Sequence, residues 1–155
     1  MGCKDYLALG VKFMKKTLVC LLLSACSYAA SNEIIRLFDT NIMMNSVCSL
    51  SFTKNETTAS YSPVFSEQGD CRIVTHPESN VPHIEFINGM YIFFVENNLK
   101  LGNSCKSEYT AMGVTKTNEV RATRVIKKSS SCYQAREIQA YQYFSTKLNA
   151  KDKIL

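Results

Sequence analysis

Apolar and polar positions alternate through much of the chain, and the densest apolar stretch is organised around an Asn-Gly pair. Residues 81–96 read Val-Pro-His-Ile-Glu-Phe-Ile-Asn-Gly-Met-Tyr-Ile-Phe-Phe-Val-Glu. Two β-branched and aromatic runs joined by Asn-Gly predict a two-residue hairpin, because a type I′ turn needs φ > 0 at both central positions. The short loop fixes a register: Ile87 faces Met90, Phe86 faces Tyr91, Glu85 faces Ile92 and Ile84 faces Phe93. One face then carries Ile84, Phe86, Tyr91, Phe93 and Val95. The other carries Ile87, Met90, Ile92 and Phe94, with His83, Glu85 and Glu96 at the open end. A hairpin apolar on both faces predicts a sheet with something packed over each side.

Upstream, residues 31–45 place Ile34, Ile35, Leu37, Phe38 and Ile42 at helical spacing, with Ser31 or Asn32 as N-cap. That predicts an N-terminal helix, shortened by the poor helix formers Asp39-Thr40-Asn41. Residues 47–53 and 58–65 predict a hairpin around Lys54-Asn55-Glu56-Thr57, and residues 71–75 a short strand. Residues 76–82 hold two of the three prolines and predict a loop. Asn97-Asn98 predicts a turn, with residues 99–102 resuming the sheet, and residues 108–115 and 119–127 form a third hairpin candidate. The C-terminal segment changes period. Ser131 and Gln134 form a capping box, and Cys132, Ala135, Ile138, Tyr141, Phe144 and Leu148 form an apolar stripe. The expected fold is α+β: an antiparallel meander of about six strands, with an N-terminal helix and a C-terminal helix packed on one face. No repeat or linker interrupts residues 27–155, so one domain is expected there.

The first 26 residues read as a leader. From Met14, a possible true start, a Lys-Lys pair precedes a short apolar run and then small residues, the layout of a signal peptide. The run is shorter than the ~20 residues a spanning helix needs. Leu23-Ser24-Ala25-Cys26 resembles the bacterial lipoprotein signature. The resemblance implies that Cys26 is acylated and becomes the first mature residue. By the same resemblance to enterobacterial lipoproteins, Ser27 in place of Asp implies the periplasmic face of the outer membrane. The competing route is ordinary cleavage after Ala29, which would release a soluble periplasmic or secreted protein. Of seven cysteines, Cys48, Cys71, Cys105 and Cys132 follow the leader. In an exported chain they imply two disulfides with three possible connectivities; chain-order pairing closes the shorter loops and is the expectation.

Charge changes the picture only modestly. The formal net charge of +5 falls to +2 beyond the leader, with residues 27–105 at −4 and residues 106–155 at +6. A nearly neutral exported domain disfavours nucleic acid as a partner. The one basic concentration, Arg121, Arg124, Lys127 and Lys128, is either a surface for an acidic partner or an edge strand whose charges discourage aggregation.

Candidate chemistry is sparse. No cofactor motif is present, and a Ser-His-Asp triad lacks its Gly-x-Ser-x-Gly elbow. A cysteine nucleophile would need a free thiol. His83 and Glu85 with His76 are metal-ligand candidates, His83 and Glu85 are also candidates for a small hydrolase, and Glu85 with Glu96 could be paired carboxylates. The leading expectation is a non-enzymatic envelope protein binding a protein partner, of immunity or hydrolase-inhibitor type. A secreted adhesin, toxin-accessory or glycan-binding module is the alternative, and a small hydrolase the third.

Overall fold

The computed structural model describes residues 33–148 and 152–155; the leader, with Cys26 and Ala29, lies outside them. Four short antiparallel strands come first: β1 (Glu33–Leu37), β2 (Thr40–Met44), β3 (Leu50–Lys54) and β4 (Thr57–Tyr61), paired in that order as a meander. A second antiparallel sheet follows, made of β5 (Asp70–Ile73), β6 (Glu85–Ile87), β7 (Met90–Leu101), β8 (Ser104–Thr115), β9 (Val120–Ala122) and β10 (Lys127–Ser129). The long pair β7 and β8 forms its spine; β5 and β6 flank β7, while β9 and β10 flank β8. One α-helix among the described residues, α1 (Ile138–Ser145), closes the order.

Alternation along β7 explains the layering. Phe93 and Val95 point to the first sheet, where they meet Ile42, Leu50 and Phe52; Ile92 and Phe94 point the other way and meet Tyr141, Phe144 and Leu148 of the C-terminal segment. The expectation of a sheet covered on both faces is met by three layers: four-stranded sheet, spine sheet, helix. Phe94 sits at the centre of the helical layer, with ring centroids 4.5 Å from Tyr141 and 5.3 Å from Phe144. The Asn88-Gly89 hairpin takes the expected register, with φ of 51° and 80° at the two turn residues. Ile84 falls short of the strand but packs into the core between the sheets.

The α+β expectation with two helices is overturned: the fold is mostly β, in two sheets, with one short helix. The stretch expected as an N-terminal helix is the β1–β2 hairpin, in which Ile35, Ile42 and Met44 are buried and Ile34 and Met43 face out. Two five-residue strands around a tight turn satisfy both periods, and β-branched Ile34 and Ile35 with Asp39-Thr40-Asn41 favour the strand solution. The expected turn at Asn97-Asn98 is absent because both amides find partners within the fold. Asn97 donates to the Glu67 carbonyl at 2.6 Å and accepts from the Gly69 N–H at 2.7 Å, while Asn98 donates to Glu96 at 3.0 Å. The chain turns instead after Leu101, at Gly102, where φ is 61°.

The C-terminal helix begins six residues later than its capping box implies. Its N-cap is Glu137, without a side-chain cap. Tertiary constraints keep the preceding segment out of the helix: Cys132 is bonded to Cys105 on β8 and Arg136 is ion-paired to Glu96, and the chain bends at left-handed Tyr133 (φ 59°). Cys132 therefore ties a pre-helical loop, not the helix, to the sheet. The four cysteines lie in the chain-order pairs, Cys48–Cys71 and Cys105–Cys132, with Cα separations of 5.1 and 5.8 Å. Two such bonds are compatible with an oxidising, exported compartment.

Candidate functional site

The end of the sandwich that carries the β1–β2 and β6–β7 turns gathers three aromatic rings. Tyr91, the second residue of β7, lies beside its cross-strand partner Phe86 at 4.7 Å between centroids, and Phe38 meets Tyr91 edge-on at 5.2 Å. Phe38 and Phe86 are 45% and 46% exposed, so water covers close to half of two phenyl groups that burial would stabilise. Phe38 also stands at φ 53°, first in a two-residue turn whose ordinary occupant at positive φ is Gly. A bulky residue held left-handed carries a backbone cost that glycine would avoid, and only part of its ring is repaid by packing on Tyr91. Around the rings runs a polar rim: the Lys116 ammonium lies 4.8 Å above the Phe86 ring, and Asn118 donates to Asp39 at 3.4 Å. An aromatic centre inside a charged rim is the anatomy of a protein-binding surface.

Sequence reasoning paired Phe86 with Tyr91 but placed both among inward-facing positions. Phe38 was assigned to a helix stripe. The legible signal was Phe-Asp between two five-residue alternations, a hairpin turn with an aromatic at its tip.

His76, His83 and Glu85 are brought together beside a shallow cleft of about 440 Å³. His83 Nε2 lies 3.0 Å from a Glu85 carboxylate oxygen, and the two imidazoles meet edge-on at 5.4 Å. Tyr141 donates to the His83 carbonyl at 3.1 Å, and burial pushes the Tyr141 hydroxyl far above its ordinary pKa. Among the described residues no group of three His, Cys, Asp or Glu side chains is placed to hold a metal ion, and no Ser, Thr or Cys is hydrogen-bonded to His83. Glu96, paired with Glu85 in the sequence reading, is no surface carboxylate. It is fully buried and held by Arg72 at 3.0 Å and Arg136 at 2.7 Å.

Three of the four basic candidates have partners within the fold. Arg121 pairs with Glu119 at 2.8 Å, Lys128 with Glu108 at 3.1 Å, and Lys127 lies 4.4 Å over the Tyr143 ring. Arg121 and Lys153 together hold Glu119 below the usual carboxylate range. Arg124, exposed between β9 and β10, has neither an ion pair nor a ring contact among the described residues. The expected single basic strand is broken because Thr123 donates its backbone N–H to Ala111 and the chain then leaves the ladder, resuming at Lys127.

Glu108 illustrates how the fold uses these charges. Burial opposes its ionisation, but the N–H and hydroxyl of Ser66, at 2.6 and 2.7 Å, and the Lys128 ammonium outweigh it and hold the pKa below its ordinary value of 4.5. A depressed pKa contributes stability above the unfolded value that is lost as pH falls through the folded one. Glu108→Gln should therefore lower stability most at neutral pH and least in acid, flattening the acid limb of the stability–pH curve, measured by urea midpoints from neutral pH down through the acid range. An acid limb as steep as in the wild type would refute this role for Glu108.

Comparison with protein-family models, curated proteins and solved structures finds no match to this chain.

Proposed function

We propose that the chain is an exported, non-enzymatic binding protein of the cell envelope, of immunity or hydrolase-inhibitor type, which takes its protein partner on the Phe38–Phe86–Tyr91 tip. The observation that carries the proposal is Phe38, an exposed aromatic kept in a left-handed turn. The scaffold behind it is rigid: two disulfides and a sheet packed on both faces let the rings be presented without the cost of ordering them on binding. Tethering suits the geometry. Lipid on Cys26 would place the anchor seven residues before Glu33, and β1 carries the chain roughly 17 Å from Glu33 to the tip. Cleavage after Ala29 would free the same surface as a soluble module.

Ring orientation favours a protein over a glycan. Phe38 and Tyr91 meet at an interplanar angle of 76°, a contoured knob, whereas sugar stacking uses a flat exposed face. The hydrolase reading rests on the His83–Glu85 contact alone.

Capture from envelope extract, followed by affinity measurement on the captured protein, tests the proposal. Phe38→Ser with Phe86→Ser should weaken binding by about 30-fold or more, the effect of losing ~2 kcal/mol at a hot spot. His83→Ala with Glu85→Ala should leave it unchanged. The reverse pattern would move the site to the histidine cleft. Intact-mass analysis of the mature N-terminus separates an acylated Cys26 from a free Ala30.

A further inference from the structure

A sheet edge is a row of unpaired N–H and C=O groups, and exposed edges are ordinarily guarded by charge, proline or brevity. Most edges here follow that rule: β1 carries Arg36, β5 Asp70 and Arg72, β10 Lys127 and Lys128, while β6 has three residues and β9 is bridged by Lys153. β4 does not. Its sequence Thr-Thr-Ala-Ser-Tyr has no charge and no proline, it borders only β3, and Thr57, Thr58 and Ser60 are exposed.

We propose that β4 pairs antiparallel with β4 of a second copy, joining two four-stranded sheets into one of eight strands. The ladder supplies the register. Lys54 and Thr57 close a two-residue turn, so they form a hydrogen-bonded pair, and the alternation along β3–β4 turns the N–H and C=O of Thr58 and Ser60 to the free edge. A two-fold axis at Ala59 sets Thr58 of each copy opposite Ser60 of the other, satisfying all of these groups. It sets Ala59 against Ala59 at the close non-hydrogen-bonded position, where a small side chain fits. The same axis sets Tyr61 opposite Thr57, one residue from Glu56 of the second copy.

Charge complements this register. Tyr61 donates to the Thr123 carbonyl at 3.1 Å, which fixes the Tyr61 end of β4 beside Arg124, the unpaired cation of the basic stretch. Glu56 is exposed, has no ion pair among the described residues, and occupies φ 67°, a turn position that favours Gly. The pairing brings Glu56 of each copy to Arg124 of the other, twice by symmetry.

Sedimentation velocity on the full chain with both disulfides formed, from micromolar to millimolar concentration, tests the pairing. A concentration-dependent dimer is expected. Glu56→Arg and Arg124→Glu should each weaken it about tenfold, and the double charge swap should restore it. Ser60→Pro, which removes an edge N–H, should abolish it; if that variant does not fold, the charge pair carries the test. A monomer throughout, or a dimer indifferent to both charge reversals, overturns the proposal.

Discussion

Glu96→Ala should lower the stability of the domain by about 3–5 kcal/mol, read as a fall in the urea midpoint at unchanged slope. Glu96 lies mid-strand in β7 with no exposed surface, and its two oxygens meet Arg72, Arg136 and Asn98. Arg136 is itself 8% exposed in its side chain, donates to Ser107 at 3.0 Å and stacks 4.0 Å over Tyr109. Removing the carboxylate leaves a buried guanidinium facing a second one with no counter-charge, and a buried charge without a partner costs far more than the pair gains. Arg136 stands just before α1, so the loss should also loosen the helix over Phe94. Glu96→Gln keeps the shape and should lose less. A cost below ~1 kcal/mol for the alanine variant would mean that both arginines reach water.

Reducing both disulfides should cost about 6 kcal/mol together. The bonds close loops of sequence separation 23 and 27, each worth roughly 3 kcal/mol by loop-closure entropy. That sum rivals the whole stability of a small domain, about 5–15 kcal/mol, so the reduced chain should be partly unfolded. The two should differ in order. Cys105 and Cys132 are both partly exposed, whereas in the other bond only Cys71 is and Cys48 is 3% exposed, so the Cys105–Cys132 bond should reduce first. A titration with reductant, followed by thiol counting and circular dichroism, checks both statements. Full retention of the midpoint after reduction would remove the disulfides from the account of the fold.

Local signals were legible where one interaction decided them. Asn88-Gly89 dictated its turn chemistry, and with it the register of β6 and β7 and the two-faced burial of β7. The alternation around Asn55-Glu56 was enough for β3 and β4. Misreadings came where distant partners overrode local preference. Asn97 and Asn98 look like turn formers until Glu67 and Gly69, in the loop before β5, bond the Asn97 amide and Glu96 accepts from Asn98. Ser131 and Gln134 look like a capping box until the Cys105 bond and the Glu96 ion pair hold the segment out of the helix. Residues 31–45 fit helical spacing because two five-residue strands around a tight turn repeat apolar positions at nearly the same intervals.

The candidate site was half legible for the same reason. Phe86 and Tyr91 follow from the hairpin register, but their exposure depends on where the first sheet ends. Phe38 joins them only because the β1–β2 turn reaches the same end of the sandwich. Basic residues clustered in sequence were dispersed by the break between β9 and β10, which no local pattern announces, and Arg124 alone remained uncommitted.

The central claim is that the aromatic tip holds the partner, and crosslinking in the native cell tests it most directly. A photoreactive phenylalanine analogue at position 38, with a control at Val64, which is 88% exposed and far along the chain, is irradiated in the full-length protein. The expected result is one discrete adduct from position 38, lost when Tyr91→Ala is added, and none from position 64. Adducts from position 64 without any from position 38 would contradict the account.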